Sequence, residues 1–129
     1  MPRFTKANEK FLSTGLNWVA DTIRAVLVDT DQYTVDLVNH EFLSDIPSAA
    51  RTATTDALTG KAVTGGSTTS DPIRFPGVSG NESEAIVSFK DTGDPATSSL
   101  ISYHTAITGF PVTPNTGDIN INMTKWFTI

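Results

Sequence analysis

Two histidines, His40 and His104, and a scatter of carboxylates are the side chains of this sequence that could do chemistry. Serine-based acyl transfer needs a nucleophile on a strained turn, a histidine beside it and a buried carboxylate behind. No G-x-S-x-G occurs, and "PGVSGNES", residues 76–83, offers only a superficial likeness. His104 stands two residues from Ser102, on what alternation marks as the polar face of a strand, so no catalytic role is expected for it. His40 is expected on a short helical turn, capping or solvated.

Asp29, Asp31 and Asp36 raise the question of calcium. An EF-hand loop wants glycine at its sixth position and glutamate at its twelfth. Counted from Asp29, those places hold Thr34 and His40, so the motif fails. A looser oxygen-ligand site, at Asp29 with Asp31 or at Asp91 with Asp94, stands against ordinary turn chemistry, in which Asp side chains bond nearby backbone. Glu82 and Glu84 share one strand face, but glycoside hydrolysis needs two acids across a cleft. "TGKAVTGG" lacks the phosphate-loop spacing. "NES" at Asn81 and "NMT" at Asn122 match the glycosylation sequon by chance, given no secretory signal. No cofactor is expected. The chain has no cysteine, which excludes disulfides, thiolate chemistry and cysteine-based zinc sites.

At 129 residues the chain is expected to be one domain, 1–129. The formal net charge is -5, unevenly placed. Residues 1–10 carry Arg3, Lys6 and Lys10 against Glu9, and the other thirteen acids lie beyond them. An acidic body argues against nucleic acid, whose phosphates call for basic patches. The first ten residues are read as a flexible basic arm, which either meets an acidic surface or is simply solvated. "MPRFTKANEK" lacks a leader-like apolar core, and no apolar run nears the roughly 18 residues of a membrane span. A soluble chain with no membrane partner is expected.

These side chains must be positioned by a mainly β architecture. "KFLSTGLNWVAD" spaces Leu12, Leu16 and Val19 as a short helix. "TIRAVLVD" is a branched, nearly continuous apolar run that fits a strand covered on both faces. "LVNHEFLSDIP" reads as a helical turn stopped by Pro47. Strands are then expected in "ARTATTDAL", "KAVT", "PIRFPGV" (an edge, from its prolines), "EAIVSF" and "LISYHTAI", whose apolar face is Ile101, Tyr103, Thr105 and Ile107. "GGSTTSD" reads as a flexible loop. The closing "GDININMTKWFTI" alternates Ile119, Ile121 and Met123 with polar residues. The fold class is an antiparallel β-sandwich or barrel with one or two short helices near the N-terminus. Trp126 and Phe127 are expected where two layers meet if the last strand stays within the domain, and at a subunit interface if it augments a neighbour's sheet.

Several stretches in order, "DTIRAVLVDTDQYTVDLVNHEFLSDIP", "ALTGKAV", "SEAIVSFKDTG" and "TSSLISYHTAITGFPVTPNTGDI", resemble a family of small structural proteins of tailed bacteriophages. The resemblance runs from about Phe11 to Ile129 and contains no catalytic signature. It implies a virion component: a capsid decoration (cement) protein first, a tail or tail-fibre component second, with a host-surface binding module as the competing class. The implied partners are the major capsid protein and further copies of the chain, trimers among them. The implied location is the capsid surface, after assembly in the host bacterial cytoplasm. On that reading Pro2, Arg3, Phe4, Lys6 and Lys10, with the loop 64–71, are the expected contact elements, and Trp126 and Phe127 the alternative subunit contact.

Overall fold

The computed structural model describes residues 2–128. It has one α-helix, α1 (Thr5–Leu12), two single-turn 3-10 helices (Leu43–Asp45, within the helical turn expected before Pro47, and Ser48–Ala50), and nine strands: β1 (Ile23–Val28), β2 (Arg51–Thr54), β3 (Ala62–Thr64), β4 (Ser67–Thr69), β5 (Ile73–Phe75), β6 (Ala85–Lys90), β7 (Leu100–His104), β8 (Ile119–Ile121) and β9 (Lys125–Thr128). All strand pairs are antiparallel. The strands make a four-stranded sheet in the order β2-β1-β6-β7, a three-stranded sheet β3-β4-β9 and a two-stranded ribbon β5-β8. The arrangement is sandwich-like and not a closed barrel.

β1 and β6 form the centre because their sequences allow nothing else. Every residue of the two is buried except Arg24 and Lys90. Runs this apolar are stable as strands when both faces are covered. They pair along their full length, from Ile23 opposite Lys90 to Val28 opposite Ala85. One face of the central sheet carries Ala25, Ser88 and Ser102 in a row, and this is the face that meets β9 through His104 and Trp126.

β9 closes the second layer. Its register with β4 shifts between Thr68 opposite Phe127 and Thr69 opposite Lys125, which leaves Trp126 as an extra residue. Such a bulge re-aims the side chain it inserts. Consecutive strand residues normally face opposite ways, yet both Trp126 and Phe127 pack on Trp18, at 6.0 and 5.7 Å between ring centroids. Phe11 adds a fourth ring, 5.7 Å from Phe127. The two indoles are also pinned to the second sheet, Trp18 Nε1 donating to Thr69 O (3.0 Å) and Trp126 Nε1 to Ser70 Oγ (2.8 Å).

Three expectations need correction. The helix is not over residues 10–21 but over Thr5–Leu12, because the chain leaves it at Ser13 and Thr14. Thr14 takes φ +65° and Gly15 N–H returns to Lys10 O at 2.7 Å, the six-to-one closure of a Schellman cap. Residues 2–10 are not a free arm. Phe4 is fully buried, its N–H donates to Ile101 O (3.0 Å), and Tyr103 N–H donates to Pro2 O (3.0 Å), so the segment lies along the outer edge of β7. Residues 64–71 are not a loop either. Gly65 and Gly66 make a two-residue turn at φ +58° and +76°, and Ser67–Thr69 is the middle strand of the second sheet. The closing stretch forms two strands that join different partners, β8 with β5 and β9 with β4, and both pairings lie within the chain.

Candidate functional site

The residues expected at an interface turn out to be structural ties. Arg3 donates from Nε to Asn8 Oδ1 (2.8 Å) and from Nη1 to Thr128 O (2.7 Å), with its guanidinium 5.4 Å from the centre of the Phe127 ring. Lys10 Nζ reaches Ser99 Oγ at 2.8 Å and Glu41 Oε2 at 2.9 Å, and lies 4.5 Å from the centre of the Phe42 ring. Phe4, Trp126 and Phe127 are wholly inside the domain and present nothing to a partner. Pro2 remains exposed, and Lys6 has only Glu9, 3.9 Å away, as company. Of the three cations in the first ten residues, Lys10 is closely paired with a carboxylate and Arg3 is tied to neutral oxygens of its own chain.

His104 is the larger surprise. Its strand face is polar in sequence but buried in space: Ser88 and Ser102 are fully buried, and His104 is 6% exposed. His104 Nε2 lies 2.7 Å from Ser102 Oγ, which in turn bonds Ser88 Oγ on the neighbouring strand. The imidazole meets the Trp126 ring edge to face at 5.4 Å. Burial disfavours the imidazolium and pushes the His104 pKa down to about 4. The three side chains form a cross-strand polar ladder inside the sandwich, and neither serine hydroxyl reaches a substrate-accessible surface. The signal missed in sequence was the pairing of two serines with a histidine, which gives both hydroxyls and the imidazole Nε2 a partner inside the protein.

His40 does cap locally. Asp36 N–H points at His40 Nδ1 (3.3 Å), so Nδ1 is an acceptor and the Tyr33 hydroxyl, 2.7 Å away, donates to it as well. Burial raises the Tyr33 pKa, which keeps that donor protonated. Asp36 itself is held below the usual carboxylate range, chiefly by the Asn39 side-chain amide at 2.9 Å.

Of the candidate cation ligands, Asp29 and Asp31 do come together, and Glu84 joins them from the foot of β6, with one oxygen of each within 4.8 Å of the others. Asp36 stays out. Three of the oxygens already have donors: Asp29 Oδ1 accepts from Asp31 N (3.0 Å), Asp29 Oδ2 from Asn81 Nδ2 (3.1 Å), and Glu84 Oε1 from Thr30 N (2.9 Å) and Thr30 Oγ1 (3.0 Å). The cluster therefore pins the turn after β1 to the start of β6. Asp91 and Asp94 do the same for their own loop. Asp91 pairs with Arg24 at 2.6 Å and accepts from Gly93 N, while Asp94 accepts from Ala96 N.

An open groove of about 580 Å³ lies between the segment after β7 and the crossing from β8 to β9. Ile107, Ile121 and Met123 give it an apolar floor, Asn120 and Asn122 line one wall, and Lys125 is its one charged lysine or arginine. Lys125 forms no ion pair among the described residues. No helix among those residues is long and apolar enough to cross a membrane. Compared with protein-family models and with curated proteins, the chain matches none.

Proposed function

We propose that this chain is a non-enzymatic structural component of a tailed-bacteriophage virion, a capsid decoration (cement) protein that binds the outer head lattice. The observation that carries the reading is where the resembling stretches fall. They fall on β1 with its following turns, on the run into β3, on β6 with its loop, and on β7 through to the start of β8: three strands of the central sheet and the connections that lead from it to the other strands. The resemblance thus rests on scaffold segments, and the two histidines, Asp29 and Asp91 take part in hydrogen bonds that hold that scaffold together, which supports a structural role. A small, cysteine-free, two-layer domain suits a protein that works outside the cell, where weak contacts are multiplied by a repeating lattice. The partners are the major capsid protein and further copies of the chain, and the location is the capsid surface.

A tail or host-surface binding role is the second reading, and the groove beside Lys125 is what favours it. Copy number separates the two. A virion gel should show this chain in hundreds of copies per particle if it decorates the head; a few copies, or cryo-EM density confined to the tail, would overturn the cement reading.

A further inference from the structure

We propose that the free edge of β3 is a self-association site at which a second copy of this chain adds antiparallel, about a two-fold axis through Val63. The inference stands on edge geometry alone and does not require the virion role.

Gly65 and Gly66, both with positive φ, join β3 to β4 through two residues, so the flanking pair, Thr64 and Ser67, exchanges the narrow hydrogen bonds. Alternation then turns the N–H and C=O of Val63 away from β4, toward open solvent. β3 is the one strand with every residue exposed, and Val63 is 55% exposed, although valine is a poor residue to leave in water.

Sheet edges are ordinarily guarded by charge, proline, bulges or a covering segment. The other edges here are. Residues 2–4 cover β7. β2 carries Arg51 and a register break against β1. β5 holds Arg74 between Pro72 and Pro76. β9 has Lys125, a bulge, and its Thr128 carbonyl tied to Arg3. β8 looks into the groove walled by residues 105–108. β3, "AVT", has no charge, proline, bulge or covering segment, and only its three-residue length limits what can pair with it.

A second copy is the occupant that fits, for reasons of charge and symmetry. The chain is acidic overall, so most faces of two copies repel. Residues 62–70 carry no charge at all. A two-fold axis through Val63 sets Val63 opposite Val63, in a pair that exchanges two backbone hydrogen bonds. It sets Ala62 opposite Thr64, and Lys61 opposite Gly65, so no like charges face each other. The Lys61 ammonium is turned home, to Asp21 O. Three residues a side bury little area, so the contact is weak between free molecules and gains strength when copies are held side by side.

The native absence of cysteine makes a register test clean. Ala62→Cys and Thr64→Cys proteins, mixed in equal amounts and oxidised slowly at high concentration, should give the mixed 62–64 disulfide in several-fold excess over either homodimer. The pair opposite each other without backbone bonds is the close one, about 4.5 Å between Cα atoms. Adding Val63→Lys to both partners sets two ammonium groups across the axis and should abolish the excess, with the fold checked by tryptophan fluorescence. A statistical mixture of the three disulfides, or an excess that survives Val63→Lys, would overturn the proposal.

Discussion

His104 gives the most direct test at the scale of a residue. Unfolded, its imidazole titrates near 6.5; folded, it stays neutral down to about 4. Below the unfolded value the unfolded chain binds the extra proton, so this group's contribution to stability is complete above pH 6.5 and is lost as pH falls toward 4. Between pH 7 and pH 5 the loss should be about 2 kcal/mol. A His104→Gln variant should be destabilised at pH 7 but should flatten that slope. Urea midpoints of both proteins at the two pH values are the check, and parallel slopes would remove His104 as the cause. Gly60 is a second point where one atom decides. Its φ is +61°, and a β-carbon there would lie 2.4 Å from Asp71 Oδ1. Gly60→Ala should cost about 1–2 kcal/mol in denaturant melts, from left-handed backbone strain plus displacement of the carboxylate that Thr59 Oγ1 bonds.

At the scale of elements, the N-terminal segment behaves as part of the sandwich. Deleting residues 2–10 removes Phe4 from the core and uncovers the edge of β7, so the domain should melt well below the intact protein, and Phe4→Ala alone should cost about 3–5 kcal/mol. An unchanged melting temperature after the deletion would contradict the docked geometry. The cap of α1 points the other way. Thr14 is a β-branched residue in the left-handed region, where glycine is usual, and Thr14→Gly should raise stability by about 1 kcal/mol. These elements also show what could be read in advance. β1, β6 and β7 were legible because long apolar or alternating runs have one stable use. β4 was not, because "GGSTTSD" carries small polar residues that become a strand only when β9, far along the chain, pairs with them. α1 was misplaced because the helical spacing of Leu12, Leu16 and Val19 is real but is cut by the Ser13–Gly15 cap. Leu12 and Val19 end up exposed. Of the candidate site, Asp29 and Asp31 were legible as neighbours, while Glu84 arrives through the sheet and has no local signal.

For the whole molecule, Trp18 and Trp126 stand where the two sheets meet, so both report on the same event. Tryptophan emission and far-UV circular dichroism should follow one denaturation curve, as expected of a single cooperative unit. Two separated transitions would mean that the central sheet survives without the second layer. The charge distribution has a similar reach. Lys10, Arg24, Arg74 and Lys90 are each paired with a carboxylate, whereas Lys125, beside its groove, is exposed and forms no ion pair among the described residues.

The meeting of β4 with β9 also orders events in time. Ser67–Thr69 is synthesised long before Lys125–Thr128, and Trp18 earlier still. Until β9 pairs, the outer edge of β4 lacks a partner and Trp18 lacks the Trp126 and Phe127 rings, whereas β1, β2, β6 and β7 pair with one another without it. Such distant pairings are slow to close, and the half-built intermediate exposes both faces that later become core. β9 thus acts as a latch: its pairing with β4 closes the second layer over the face that carries Ser88, Ser102 and His104.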